Sequence, residues 1–230
     1  MTDSILHYVH DPLCGWCYAA APLVAAAQAA GLSIVLHGGG LWQPAVQLDL
    51  RQREHIREND ERIAALTGVP FGAPYLNGLL GDSPMVLWSP PAHAAILAAS
   101  SLKDGAGLAM LHAIQRAHYV EGRPVISETV LTALAEGLGL DKAAFLHAVA
   151  LAPVDEHIQA TRRLMRTLGL RGFPGFILEQ HGSLGTVEHA LFYGQPAAFA
   201  RAVLALAQKP NLGARHASAP SVNHHLKVLP

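Results

Sequence analysis

CGWCYAAAPLVAAAQAAG, residues 14–31, is the stretch on which the reading of this chain turns. Its two cysteines are the only ones in 230 residues, and they stand two residues apart. A disulfide across so short a loop removes little unfolded-chain entropy, so a structural staple explains the pair poorly, and redox chemistry or metal binding explains it better. The alanine-rich run that follows ends at Gly31 and predicts a helix from Cys14 to Ala30, with Pro22 inside it. Cys14 then meets the free N–H groups and the positive end of the helix dipole, which favour its thiolate, while Cys17 lies one turn inside and is better shielded. The chemistry expected of such a pair is attack by Cys14 on a substrate disulfide and resolution of the mixed disulfide by Cys17, or the reverse.

Upstream, Ile5–Val9 is a short apolar run of strand formers, and Asp11-Pro12 marks a turn before the cysteines. Downstream, Leu32–Leu36 is a second strand ending at His37 and three glycines, which read as a strand-to-loop exit. Strand, helix and strand make a β-α-β unit, whose strands should be parallel and whose crossover should be right-handed. From Leu48 to Leu168 the apolar period becomes helical, with helices predicted over Leu48–Thr67, Pro91–Leu102, Gly107–Val120, Ser127–Leu138, Lys142–Ala150 and Asp155–Leu168. Ser89-Pro90 and Ser127 supply helix-start signals. The glycine- and proline-rich segment Gly68–Ser89 reads as a long loop, a candidate rim for a substrate groove. Arginines between residues 51 and 62 alternate with Glu54, Glu58, Asp60 and Glu61, a pattern that reads as a solvated helix face with ion pairs.

Near the other end, RGFPGFIL (residues 171–178), a turn around His181-Gly182-Ser183 and a run from Leu184 to Val187, with a continuation toward Phe192, read as a hairpin. Pro196–Ala207 is the last predicted helix, with proline at its first position, and residues 209–230 form a tail without sustained period. Sixteen Lys+Arg against 17 Asp+Glu leave no basic stripe for a phosphate backbone, which argues against nucleic-acid partners. The apolar stretches are too short and interrupted for a membrane span, and the start MTDSILHYVHD has an acid where a signal peptide carries positive charge. A cytoplasmic protein is expected.

CGWCYAAAPL resembles the thioredoxin superfamily, in which a C-x-x-C pair is followed by a proline eight residues after its first cysteine, here Pro22. RGFPGFIL, with the hairpin and terminal helix after it, resembles that superfamily's cis-proline loop and its β-β-α end, making Pro174 the cis-proline candidate. A helical block between the two motifs is the arrangement of the DsbA-like branch, and YVHDPLCGWCYAAAP with LHGGGLW is similar to its cytoplasmic, protein-disulfide-isomerase-like members. The resemblance implies an α/β thioredoxin-like fold from residues 1–49 and 170–208 with a large inserted helical domain over 50–169. It also implies thiol-disulfide exchange on protein or peptide substrates, with Cys14 and Cys17 catalytic. Pro174 would lie beside the pair, with the Phe173 backbone pairing an extended substrate. Trp16 would be a substrate contact at the helix tip, and His10 and Asp11 are candidates for tuning the thiols. No cofactor beyond the redox-active disulfide is implied, with glutathione as a co-substrate, glutathione or a thioredoxin-type protein as reductant, and a homodimer allowed. Gly-Trp between the cysteines departs from the Pro-His of strongly oxidising members, so no histidine inside the motif supports the thiolate.

Three other readings stay open at this point. His7, His10, Cys14 and Cys17 are four zinc-type ligands within eleven residues, although three-residue spacing on a strand sends the two histidines to opposite faces. A glutathione-dependent isomerase or transferase shares the fold but needs no resolving cysteine. A module that holds metal or a partner chain, including a metal bridging two subunits, needs no catalysis at all.

Overall fold

The computed structural model describes residues 4–81 and 85–208. Strand β1 (Ile5–His10) leads through an Asp11-Pro12 turn into helix α1 (Gly15–Ala29), and Gly31, at a φ of 93°, turns the chain into β2 (Ser33–Gly38). β1 and β2 are parallel, in the register Ile5 opposite Ser33 to His10 opposite Gly38. The C-terminal strands β5 (Gly175–Gln180) and β6 (Ser183–Thr186) complete a mixed four-stranded sheet in the order β2-β1-β5-β6. β5 runs antiparallel to β1, with Val9 opposite Gly175, so chain segments more than 160 residues apart meet at the end of β1 beside the cysteines. The β5–β6 connection is the two-residue turn His181-Gly182, both with positive φ, the backbone a tight hairpin needs.

Between β2 and β5 lie β3 (Val46–Gln47), α2 (Leu50–Thr67), β4 (Val86–Leu87), α3 (Ser89–Leu102), α4 (Ala106–Tyr119), α5 (Glu128–Gly137), α6 (Lys142–Leu151) and α7 (Val154–Thr167). α8 (Pro196–Ala207) closes the fold, packing with α1 on the sheet. Local signals set several of these ends. Asp49 and Gln52 form a capping box at the start of α2, Gly68 ends it in the left-handed conformation, and the Asp141 carboxylate accepts from Ala144 N–H at the start of α6. Small alanines on α1 let it approach α8 closely, and Leu6, Tyr8, Leu23, Phe176, Phe199 and Val203 are buried among the sheet and these two helices. The buried residues of α3, α4 and α6, including Ile96, Met110 and Phe145, belong to the same continuous core.

Three expectations are corrected. The segment Gly68–Ser89 is not one structureless loop: it carries a π-helical turn, Pro74–Leu79, and strand β4, which pairs with β3 as a separate two-stranded ribbon. The hairpin does not continue to Phe192, because Ala190–Phe192 is a 3-10 turn. Ser89-Pro90 and Ser127 do mark helix starts, with proline in the first turn of α3 and Ser127 at the N-cap position of α5, but neither serine side chain makes a capping bond, and the Ser89 hydroxyl donates instead to Asp11. The face of α2 is not laced with ion pairs among the described residues: Arg53 donates to the Gly81 carbonyl and Arg57 to that of Leu76, and Asp60 is buried. The tail, residues 209–230, lies outside the described residues.

Candidate active site

Cys14 occupies the N-cap of α1 in extended conformation, and no side chain caps the exposed N–H groups of that first turn. Those groups and the helix dipole therefore face its sulfur. Cys14 is 8% exposed, whereas Cys17, one turn in, is fully buried. Both are free thiols. Burial pushes the Cys17 thiol well above its ordinary range, and neighbouring Cys14 adds to that, while the Asp11 backbone N–H, 3.5 Å from the Cys17 sulfur, works in the opposite direction. The two sulfurs are thus unequal: one sits at an opening and a helix terminus, and the other is held protonated beneath it.

The Phe173–Pro174 peptide is cis, and the Phe173 carbonyl oxygen lies 3.9 Å from Cys14 Sγ. The loop therefore stands directly against Cys14. Its position depends on Gly39, where an added Cβ would fall 2.1 Å from the Phe173 ring. Arg162 of α7 fastens the glycine segment from the other side, donating to the carbonyls of Gly39 at 3.0 Å and Gly40 at 2.6 Å. Trp16, inside the motif, packs against Tyr193 at a ring separation of 5.2 Å. Trp42, whose indole N–H donates to the Leu13 carbonyl, forms another wall, whereas Trp88 is largely exposed.

Asp11 and His10 lie behind the motif. The Asp11 carboxylate is fully buried and accepts from Leu13 N–H (2.9 Å), Leu41 N–H (2.7 Å), the Ser89 hydroxyl (3.0 Å) and His93 Nε2 (3.1 Å). Burial works against its charge, but the His93 contact and the two backbone N–H groups outweigh it and hold the carboxyl below the ordinary carboxylate range. With four donors on it, the carboxylate is occupied, and it reaches the Cys17 sulfur only as a nearby charge and through its backbone N–H. His10 is 1% exposed, and burial followed by the nearby His93 pushes its pKa well down, so the ring is neutral and stacks on Tyr8. His7 points elsewhere, bonded to His37 and Glu179 at 2.8 Å each, so the four zinc-type ligands of the sequence do not converge. Among the described residues there is no group of three or more Cys, His, Asp and Glu arranged to hold a metal ion.

A cavity of about 770 Å³ opens over Cys14, and Trp16, Trp42, Tyr119, Arg171 and Phe173 are among its walls. Sequence patterning missed two of its members, Asp60 and Tyr75. Tyr75 donates to Asp60 Oδ2 at 2.7 Å, and burial lifts the Asp60 pKa to about 7, the tyrosine bond opposing the rise.

The site, the sheet order and the long helical segment meet in a known pattern, that of the DsbA-like thioredoxin domain, which matches residues 5–195. The chain belongs to that family. The DsbA-like fold is shared at high similarity with the cytosolic disulfide reductase DsbM from Pseudomonas aeruginosa, 45% identical over 88% of this chain and 98% of that one, with a TM-score of 0.81. A second structure of DsbM, with GSH, superposes with a TM-score of 0.78 at the same identity and coverage. A protein from Nitrosomonas europaea described as a candidate protein disulfide isomerase is 24% identical over 88% of this chain and 96% of that one, with a TM-score of 0.74, and shows the fold alone. No curated protein sequence matches the chain at the same stringency. As a DsbA-like protein with an intact C-x-x-C pair, the chain is a thiol-disulfide oxidoreductase that acts on disulfide substrates. No helix among the described residues is long and apolar enough to cross a membrane.

Proposed function

We propose that this protein is a cytoplasmic disulfide reductase that works on protein or peptide disulfides with glutathione as co-substrate, Cys14 attacking and Cys17 resolving. The observation that carries this reading is the asymmetry of the pair: Cys14 at an uncapped helix terminus in the wall of an open cavity, Cys17 fully buried below. A substrate disulfide entering the cavity meets only Cys14. The Cys14 thiolate attacks one substrate sulfur, a Cys14–substrate disulfide forms, and the other sulfur leaves as a thiolate. Cys17 then loses its proton and attacks Cys14 Sγ, forming the Cys14–Cys17 disulfide and releasing the second substrate thiolate. Two glutathione thiols, or one thioredoxin-type dithiol, return the pair to its reduced form.

The Phe173 backbone beside Cys14 supplies an edge for an extended substrate, with Pro174 fixing the loop and Trp16 flanking the entrance. His10 and Asp11 support the site from behind, the first as a neutral ring in the packing and the second as an anchor. The redox group is the cysteine pair itself, and one chain supplies the whole site, so the reading requires no homodimer. The DsbM structure with GSH, from a protein 45% identical, supports glutathione as the co-substrate and the cytosol as the compartment. The intact resolving cysteine separates this reading from a glutathione-dependent isomerase or transferase, which would leave Cys17 without work.

The test is the thiol-disulfide equilibrium of the Cys14–Cys17 pair in glutathione buffers, both states being counted by alkylation and mass spectrometry. A reversible two-electron transition toward the reducing part of the range of about −120 to −270 mV is expected. A stable glutathione adduct on Cys14 with no intramolecular disulfide at any poise would overturn the proposal in favour of the isomerase or transferase.

A further inference from the structure

Asp60 is a charge-bearing group that the exchange steps above leave unused. It projects from the middle of α2, is 4% exposed, and lines the same cavity as Cys14. One oxygen, Oδ2, accepts from the Tyr75 hydroxyl, and among the described residues Oδ1 has no hydrogen-bond donor. Oδ1 instead lies against the motif: a Cβ added to Gly15, the residue after Cys14, would fall 2.6 Å from it. Gly15 is therefore the residue that lets a carboxyl from α2 rest on the first turn of α1. The other polar and titratable groups facing Asp60 are Tyr75 from the π-helical turn, Tyr119 and His118 from α4, Arg57 one turn away on α2, and Arg171 on the far wall. None of them neutralises it, because Arg57 is spent on the Leu76 carbonyl and burial keeps His118 uncharged, its pKa lowered to about 3.

Building on the exchange reading, we propose that Asp60 is the proton donor to the substrate sulfur that departs when Cys14 attacks. The step needs no other reactant. The Cys14 thiolate forms the new S–S bond, the substrate S–S bond breaks, and the departing thiolate takes the Asp60 proton and leaves as a thiol, after which the carboxylate regains a proton from water entering the cavity. A buried carboxyl raised to about 7 is still substantially protonated at neutral pH, as a donor of this kind must be.

Leaving-group dependence tests this in single turnovers of the pre-reduced protein. Two uncharged probes are compared: bis-hydroxyethyl disulfide, whose alkyl thiolate is strongly basic and gains from protonation, and dithiodipyridine, whose leaving group spreads its charge onto the ring nitrogen and needs no proton delivered to sulfur. Asp60→Asn should slow the alkyl probe about 100-fold and the aromatic probe far less. In the unmodified protein the alkyl-to-aromatic rate ratio should fall as pH rises through about 7, the attacking nucleophile being common to both probes. Tyr75→Phe, which removes a donor to the ionised carboxylate, should move that fall to higher pH. Equal slowing of both probes by Asp60→Asn, or a ratio independent of pH in the unmodified protein, would overturn the proposal. Failure of the unmodified protein to react with either probe would instead overturn the exchange reading on which it rests.

Discussion

Replacing Asp60 with asparagine should stabilise the protein at neutral and alkaline pH, by an amount fixed by the site. Asparagine conserves the volume, and its amide oxygen can accept from Tyr75 in place of Oδ2, but it carries no titrating proton. Between the ordinary carboxyl value of 3.8 and the folded value of about 7, the folded protein holds a proton on Asp60 that the unfolded chain has already lost. The unfolded state binds fewer protons in that window, so stability falls as pH rises through it and Asp60 contributes no further change above it. About three units at about 1.4 kcal/mol each set the effect at about 4 kcal/mol. The variant escapes this loss, and any constant cost of the substitution cancels when two pH values are compared. Urea unfolding of the reduced forms of both proteins, at about pH 4 and about pH 8, should therefore show the variant gaining about 4 kcal/mol on the original between them. A stability difference that stays constant across that range would refute the reasoning, since it would mean that Asp60 ionises in the fold as readily as in the unfolded chain.

Cys14→Ser should abolish exchange and Cys17→Ser should accumulate mixed disulfides with a glutathionylated peptide, seen by intact-mass spectrometry; continued turnover without Cys14 would contradict the assignment of the nucleophile. Asp11→Ala leaves four donors facing an empty carboxylate position and should cost about 3–5 kcal/mol in thermal or urea unfolding. Because the Asp11 carboxyl is lowered by folding, its contribution is present above the ordinary carboxyl range and is lost as pH falls below it, so Asp11→Asn should flatten the acid limb of the stability profile. Gly39→Ala forces the Phe173 ring to move and should raise the KM for peptide disulfides while leaving the alkylation rate of Cys14 by iodoacetamide near the original. An unchanged KM would show that the loop tolerates the shift.

Much of the architecture is legible in the chain because the signals are local and repeat at the right period. The β-α-β start, the helices from α3 to α8 and the two-residue hairpin turn fall within a few residues of the bounds read from apolar spacing, capping residues and glycine or proline punctuation. What escaped is what has no period. Val46–Gln47 and Val86–Leu87 are two-residue strands whose pairing depends on a partner 40 residues away, and the π-helical turn at Pro74–Leu79 lies in a stretch whose glycines and prolines signal loop. The cysteine pair could be found because both residues stand in one local motif at a predicted helix start, and the resemblance of the flanking segments supplied its chemistry. Asp60 could not, because on a helix rich in alternating charges nothing distinguishes the one carboxyl that turns inward; a sharper reading of the helical wheel, on which Asp60 falls with Ile56 and Ile63, was the available signal. Asp11 was legible as a turn residue next to the motif, but its four donors come from separate parts of the chain and only the fold assembles them.

The cavity over Cys14 has two authors. One side, Cys14, Trp16 and Phe173, comes from the start of α1 and the loop before β5, and the facing side, Asp60, Ile63, Tyr75 and Tyr119, comes from α2, the π-helical turn and α4. The electron-transfer couple is thus written in one stretch of sequence and the shape that selects its customers in another. Changes confined to Ile63 and Tyr119 would reshape the entrance while leaving Cys14, Cys17 and Asp60 in place, which gives this architecture a route to diversify and gives an engineer two positions at which to retarget it.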